Sequence, residues 1–262
     1  MLAFPNAKIN IGLHITSKRP DGYHNIESCF YPIPWRDALE IIPASELKFT
    51  TSGLSIPGSE DSNLCIKAYH LLKNDFDIPA VHIHLHKVIP MGAGLGGGSA
   101  DGAFTLKLLN DLFELGISNQ QLEVYASKLG ADCPFFIENQ PKIVRGIGEI
   151  FSPCPIDLTG KVLLIKNPGI HIGTKEAYAN VIPKEVDRAI EDTLSDSPSK
   201  WVEHLKNDFE VSVFPNHPEL ETLKNELYDL GATYASMTGS GSTVYGLFNE
   251  PMEREGYLSF TL

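Results

Sequence analysis

The stretch Pro90-Met-Gly-Ala-Gly-Leu-Gly-Gly-Gly-Ser-Ala100 decides how this chain is read. The alternating run Val81-His-Ile-His-Leu-His86 precedes it and predicts a strand over 81–89. Behind it, Ala100, Ala103, Phe104, Leu108, Leu112 and Leu115 recur at helical spacing and predict a helix over 99–115, stopping near Gly116. Strand, glycine loop and helix together present bare backbone N–H groups and a positive helix end to a phosphate. A flexible linker is the blander reading, and the firm patterns on both sides argue against it. Ordered glycines cost about 0.5–1 kcal/mol each relative to alanine, and a closely approaching ligand is the usual compensation.

Two familiar phosphate loops do not fit. A Walker A loop ends in Gly-Lys-Ser/Thr, whereas here Gly98 is followed by Ser99 and Ala100. Any lysine at the phosphates must therefore come from elsewhere in the chain. Gly92, Gly94 and Gly97 spell GxGxxG, but a dinucleotide fold wants an acidic residue ending a second strand about 20 residues on. That region is the helix tail Asn110-Asp-Leu-Phe-Glu114. Ser99 sits at the helix start, either as its cap or as a phosphate or Mg²⁺ contact. Asp101 either faces a cation or points away from the phosphate; the sequence leaves this open.

Outward from the loop, residues 7–15 alternate, with Ile9, Ile11, Leu13 and Ile15 on one face and Lys8, Asn10, Gly12 and His14 on the other. This predicts a half-buried strand carrying Lys8 and Asn10 side by side. Arg19-Pro-Asp-Gly22 has the residue types of a turn. Residues 61–74 read as a helix capped by Asp61 or Ser62, and Ser118 caps another to about Leu129. Further on come a strand over 161–166, a loop over 195–200 and a helix over 219–230. The small-residue loop Ser236-Met-Thr-Gly-Ser-Gly-Ser-Thr243 follows, then a strand over 244–248. Without strict βαβ alternation, the mixture points to α+β with much antiparallel sheet.

With 262 residues, 42% of them hydrophobic, the chain can build one large core or two smaller ones. A net charge of −12 argues against a nucleic-acid binder working through a broad basic face. No apolar run reaches the roughly 18 residues of a membrane span, and the first residues lack a basic segment followed by an apolar core. The scattered Cys29, Cys65, Cys133 and Cys154 form no CxxC. A cytoplasmic protein with reduced thiols is the expectation.

Three segments in one order carry a resemblance: Pro5-Asn-Ala-Lys-Ile-Asn10, the glycine loop 90–100, and Thr238-Gly-Ser-Gly241. The chain resembles the GHMP kinases. Arg19-Pro-Asp-Gly-Tyr-His24, Asp61-Ser-Asn-Leu64, Leu129-Gly-Ala-Asp-Cys-Pro134 and Asn167-Pro-Gly169 narrow the resemblance to the branch acting on a cytidine-diphosphate-linked polyol. The resemblance implies a two-lobed α+β fold, with a ribosomal protein S5 domain 2-like lobe over 1–155 and a ferredoxin-like lobe over 156–262. ATP and substrate would meet in the cleft between them. It implies ATP-dependent phosphorylation of the 2-hydroxyl of a methylerythritol unit, by a cytoplasmic monomer or weak homodimer binding neither nucleic acid nor membrane.

The roles that the resemblance implies fall on matching positions. Asp132 is the candidate base and Lys8 its cationic partner. Pro90, Met91, Gly92, Ala93, Gly94, Leu95, Gly96, Gly97, Gly98, Ser99 and Ala100 hold ATP, with Asn63 and Lys87 near its adenine or ribose. Asn10, Tyr23, His24, Thr174, Tyr178, Gly239 and Ser240 line the substrate site, and Tyr23, His24 and Tyr178 serve the cytosine ring. Mg²⁺ is expected to arrive with ATP, near Ser99. His82, His84 and His86 invite a metal reading, but no fourth ligand is evident, and a solvated or interlobe strand face fits better. Other GHMP kinases, such as homoserine or mevalonate kinase, are the alternative enzymes. A non-catalytic binder of the same fold is the alternative of another class.

Overall fold

The computed structural model describes residues 1–154 and 156–262. The strands are β1 (Leu2–Ala3), β2 (Asn6–Lys18), β3 (His24–Arg36), β4 (Ala38–Pro43), β5 (Lys48–Gly53) and β6 (Val81–Lys87). They continue as β7 (Lys142–Arg145), β8 (Ile150–Pro153), β9 (Val162–Lys166), β10 (Tyr234–Met237), β11 (Val244–Phe248) and β12 (Leu258–Thr261). The chain packs as two compact units that interleave in sequence. The first holds Met1–Ala7, Trp35–Met91 and Gly96–Gln140; the second holds Lys8–Pro34, Gly92–Leu95 and Pro141–Leu262. Residue 155, where the expected first lobe ends, lies outside the described residues.

In the first unit, the sheet β1-β4-β6-β5 pairs β5 parallel to β6 and is otherwise antiparallel. The period of two in β6 works as read: Val81, Ile83 and Leu85 are buried, while His82, His84 and His86 take the opposite face. The helices Leu64–Asp75 and Gly97–Leu112 pack on each other. Gly102 permits the approach, since a Cβ there would stand 2.9 Å from Leu64 Cβ. The first helix is capped by Asn63, whose Oδ1 accepts from Cys65 N at 2.9 Å. Asp61 and Ser62, the expected caps, lie instead in a 3₁₀ turn, Glu60–Ser62. Ser118 caps Asn119–Ser127 with a full capping box through Gln121.

The second unit holds the sheets β2-β3-β7-β8 and β10-β11-β9-β12. Leu13 and Ile15 from β2 join Leu164, Val213, Leu220, Leu227, Met237 and Val244 in one core. The helix Pro218–Asp229 packs on β10 and β11. Strand β2 departs from the half-buried expectation: Lys8 and Asn10 are as buried as Ile9 and Ile11. The polar face of β2 is covered by a hydrogen-bonded network, so alternation marks two chemistries rather than inside and outside. Residues 195–200, read as loop, run into the short helix Pro198–Trp201. Trp201 anchors it, buried and donating from Nε1 to Asp196 O at 3.0 Å. Ser236 and Met237 belong to β10, which shortens the second glycine loop to 238–243. No helix among the described residues is long and apolar enough to cross a membrane.

Candidate active site

In the second unit, Lys8 Nζ donates to Asn10 Oδ1 at 2.6 Å and to the Gly94 carbonyl at 3.3 Å. Its ammonium also lies 4.4 Å from the centroid of the Phe30 ring. Asn10 donates from Nδ2 to Ser28 Oγ at 2.9 Å, and the Ser28 hydroxyl in turn donates to Gly12 O at 2.6 Å. The Thr238 hydroxyl ties three segments together. It accepts from Asn10 N at 2.9 Å and lies 3.0 Å from Gly94 O. Asn207 fixes the loop that carries Thr238, donating from Nδ2 to Met237 O and Gly239 O at 2.7 and 2.8 Å. Lys8, Asn10, Gly94 and Gly239 are thus brought together. Ser28, Phe30, Thr238 and Asn207 were not foreseen as site residues, although Thr238 stood inside a recognised motif.

The glycine loop has positive φ at Gly92, Gly94 and Gly96 (63°, 77° and 68°). Such alternation turns successive N–H groups toward one side and makes an anion-binding concavity. Gly96, not Ser99, is the N-cap of Gly97–Leu112, and no side chain caps that helix. Its first N–H groups therefore have no side-chain cap, an arrangement whose chemistry suits an anion. Ser99 lies in the first turn, half-buried, hydrogen-bonded to the Cys133 thiol. Burial pushes that thiol up to about 12, which keeps it protonated and inert. Asp132, next to it, is half-buried on the turn before the helix Phe135–Glu138.

Lys87 does not reach outward. Its side chain is fully buried, and Nζ is shared between Asp37 Oδ2 at 2.5 Å and Asp101 Oδ2 at 2.7 Å. Asp37 Oδ1 accepts from Val88 N and Ile89 N, which pins the chain entering the glycine loop. Lys87 is therefore corrected from a nucleotide contact to a support beneath the loop. Asp101 faces a cation, which resolves the open alternative. Burial pushes its carboxyl up to about 7, against the pull of Lys87. Burial also works against the Lys87 ammonium, and the two carboxylates more than offset it. Asn63 keeps Oδ1 for its cap, and lines a cavity with Ile56, Pro57, Leu64, Met91 and Asp101.

Two of the three expected cytosine-site rings meet. His24 and Tyr178 stack with centroids 4.8 Å apart and planes 23° from parallel, and Tyr178 meets Phe209 edge-on at 4.8 Å. Burial raises the Tyr178 phenol. Tyr23 is 60% exposed, on the turn where Gly22 N donates to Arg19 O. Thr174 opens the short helix Thr174–Ala177, and its carbonyl accepts from Tyr178 N. Ser240 is half-buried beside Gly239. The three strand histidines form a ladder with β5. Thr50 bridges His82 Nε2 and His84 Nδ1, and Ser52 bridges His84 Nε2 and His86 Nδ1, all at 2.8–3.0 Å. Hydroxyl pairing thus accounts for both nitrogens of His84.

A family profile described as "GHMP kinases N terminal domain" matches residues 63–140, and one described as "GHMP kinases C terminal" matches 196–256. A 4-diphosphocytidyl-2-C-methyl-D-erythritol kinase of Cytophaga hutchinsonii is 56% identical, covering 97% of this chain and 94% of that protein. The chain belongs to the 4-diphosphocytidyl-2-C-methyl-D-erythritol kinase family, within the GHMP kinases. Its member from Bacteroides thetaiotaomicron is 52% identical, covering 100% and 95% of the two chains. A crystal structure of a 4-(cytidine 5'-diphospho)-2C-methyl-D-erythritol kinase superposes with a TM-score of 0.79 at 32% identity, covering 94% of this chain and 90% of that one. Homoserine kinase from Cytophaga hutchinsonii shares the fold at a TM-score of 0.64 and 17% identity. The two-lobed GHMP kinase fold and kinase activity that the resemblance implied are those of this family.

Proposed function

We propose that this chain transfers the γ-phosphoryl group of ATP to the 2-hydroxyl of 4-diphosphocytidyl-2-C-methyl-D-erythritol, giving the 2-phosphate and ADP. The product would feed isoprenoid precursor synthesis by the non-mevalonate route. The observation that carries this reading is identity above 50% over nearly the whole length to kinases bearing that name. The His24–Tyr178 ring pair supports it, because a nucleobase offers flat faces to stack on and mevalonate or homoserine does not.

Phosphoryl transfer asks for positioning, charge stabilisation and a home for the hydroxyl proton. In this reading Asp132 accepts or orients that proton, and Lys8 stabilises the charge that develops on the hydroxyl oxygen. Asn10 holds the Lys8 ammonium in place. The left-handed glycines and the uncapped helix start suit the phosphates of ATP. Mg²⁺ would come with the nucleotide, and the Ser99 hydroxyl is the candidate ligand in the first turn. Its chemistry there is charge neutralisation on the phosphates. Asn63 and Met91, at the cavity under the first turn, are assigned to the nucleoside end. Tyr23, His24, Thr174 and Tyr178 are assigned to the cytidine, and Gly239 and Ser240 to the substrate phosphates. The lobes are proposed as 1–155 and 156–262, a division supported by profile matches on either side of it, although residues 8–34, 92–95 and 141–154 pack with the second compact unit. A cytoplasmic monomer or weak homodimer completes the reading, and sedimentation would test the latter.

Purified protein with ATP and Mg²⁺ should release ADP with 4-diphosphocytidyl-2-C-methyl-D-erythritol, and not with homoserine or mevalonate. Release with either of those, or with none of the three, overturns the reading. Asp132→Asn should lower kcat by about 10²–10⁴; a loss of less than about tenfold would remove it from proton transfer.

A further inference from the structure

The thiols of Cys29 and Cys154 lie 3.5 Å apart, Sγ to Sγ, in the second unit, and neither has a task in the proposed reaction. Cys29 is fully buried on β3, where its backbone pairs with Ile143 of β7. Cys154 is half-buried and follows Pro153, the last residue of β8, so it is outside the strand ladder. One thiol is thus hidden within the strand ladder, and the other is partly exposed just beyond it. We propose that Cys29 and Cys154 form a redox modification site, which a hydroperoxide oxidises to an intramolecular disulfide and a dithiol reopens.

Geometry and chemistry agree on the order of events. A disulfide needs about 2.05 Å between sulfurs, so the pair must close by about 1.5 Å. Cys154, beyond the end of β8, supplies that movement. The hydrogen bond between the two sulfurs lowers the Cys154 thiol from its ordinary value, while burial pushes Cys29 well up. Cys154, the more accessible of the two and the one whose ionisation is favoured, is therefore the sulfur that meets the oxidant. Its sulfur attacks one peroxide oxygen and the O–O bond breaks. Sulfur is oxidised by two electrons to a sulfenic acid, and the other oxygen leaves as alkoxide, which takes up the Cys154 proton to give the alcohol (hydroxide and water when the oxidant is hydrogen peroxide). Cys29 sulfur then attacks Cys154 sulfur. The S–S bond forms, the S–O bond breaks, and the departing hydroxide takes the Cys29 proton to become water. Two thiols and one hydroperoxide thus give one disulfide, one water and one alcohol, or two waters from hydrogen peroxide. In a reducing compartment such a bond is transient, which suits a sensor rather than a structural staple.

The pair has a mechanical link to the candidate active site. Cys29 stands between Ser28, which accepts from Asn10, and Phe30, whose ring faces the Lys8 ammonium. A pull on β3 at Cys29 reaches Lys8 through both neighbours, and its effect on turnover rests on the catalytic role proposed for Lys8.

The test uses the reduced full-length chain and a small excess of hydrogen peroxide. Digestion without reductant should yield a peptide joining Cys29 to Cys154, lighter by two hydrogens than the separate peptides and lost on adding dithiothreitol. Cys154→Ser should abolish it, and Cys65→Ser should not. Both thiols remaining free, or a sulfinic acid on Cys154 beside an unmodified Cys29, would overturn the site. On the same samples, oxidised wild type should lose turnover severalfold and regain it with dithiothreitol, while Cys154→Ser is indifferent to peroxide. A complete crosslink with unchanged turnover would overturn the link to Lys8. Because the crosslink is read by mass, failure of the proposed kinase reaction would be seen separately, as inactivity of the reduced protein.

Discussion

Lys8 Nζ lies 2.6 Å from Asn10 Oδ1, and both residues are buried on one face of β2. The neutral Asn10 amide oxygen accepts from the buried ammonium, so it fixes where the charge stands without itself carrying a counter-charge. Lys8→Met keeps the volume and removes the charge. It should lower kcat by about 10²–10³, the scale of losing one preorganised donor. Asn10→Ala leaves the charge but frees its position, and a loss of about tenfold is expected. Initial rates of ADP release at saturating substrates measure both. Equal losses for the two variants would mean that charge and positioning are not separable here.

The stacked His24 and Tyr178 rings predict a different signature from Tyr23. Tyr178 also packs against Phe209, so Tyr178→Ala should cost stability as well as substrate binding. Aromatic pairs contribute about 0.5–1.5 kcal/mol beyond their buried area, which corresponds to a rise of up to about tenfold in KM for the cytidyl substrate. Tyr23 is 60% exposed, so Tyr23→Ala should raise the same KM and leave Tm unchanged. Neither should move the KM for ATP comparably. Steady-state kinetics in both substrates, with thermal melts, decides it; a Tyr23 variant that changed Tm but not KM would assign the ring to packing.

Some of this site was legible in the sequence because its signals are local. The i, i+2 spacing put Lys8 beside Asn10, and the glycine run announced a loop of left-handed glycines before a helix. What was missed depends on partners distant in sequence. Asn207 holds a loop 30 and 32 positions away, and Asp37 meets Lys87 from 50 positions away. A single Asn or Asp carries no pattern that names such a partner. Lys87 was misassigned for the same reason: a lysine beside a phosphate loop reads as a ligand contact until its carboxylates are seen. The helix Pro198–Trp201 was read as loop because four residues are too few to show a period. The half-buried expectation for β2 failed because alternation reports side-chain polarity and not what covers each face.

The Lys87 triad makes stability depend on pH in a stated direction. Lys87→Met would leave Asp37 and Asp101 buried without their cation, and a loss of about 3–5 kcal/mol is expected. The Asp101 carboxyl sits near 7 in the folded chain against an ordinary value of 3.8. The folded state therefore holds that proton more tightly than the unfolded state. Its contribution to stability is full below about pH 4 and is lost as pH rises through about 7. Urea midpoints taken from pH 5 to pH 8 should fall more steeply for wild type than for Asp101→Asn. Parallel curves would show that Asp101 is ionised throughout.

Gly94 and Gly116 separate the two costs of replacing a left-handed glycine. Both have positive φ, 77° and 68°. A Cβ on Gly94 would run into the backbone carbonyl of Thr238, whereas a Cβ on Gly116 meets nothing within 4 Å. Gly116→Ala should cost only the conformational term, about 1–2 kcal/mol, with kinetics unchanged. Gly94→Ala adds a clash that no rotamer relieves, because the obstacle is backbone. It also displaces the carbonyl that receives Lys8 Nζ and lies against the Thr238 hydroxyl. A larger fall in Tm is expected, together with a raised KM for ATP and a lowered kcat. Equal penalties in the two variants, with kinetics intact in both, would show that the loop yields at Gly94 and that the close approach to Thr238 is not needed for turnover.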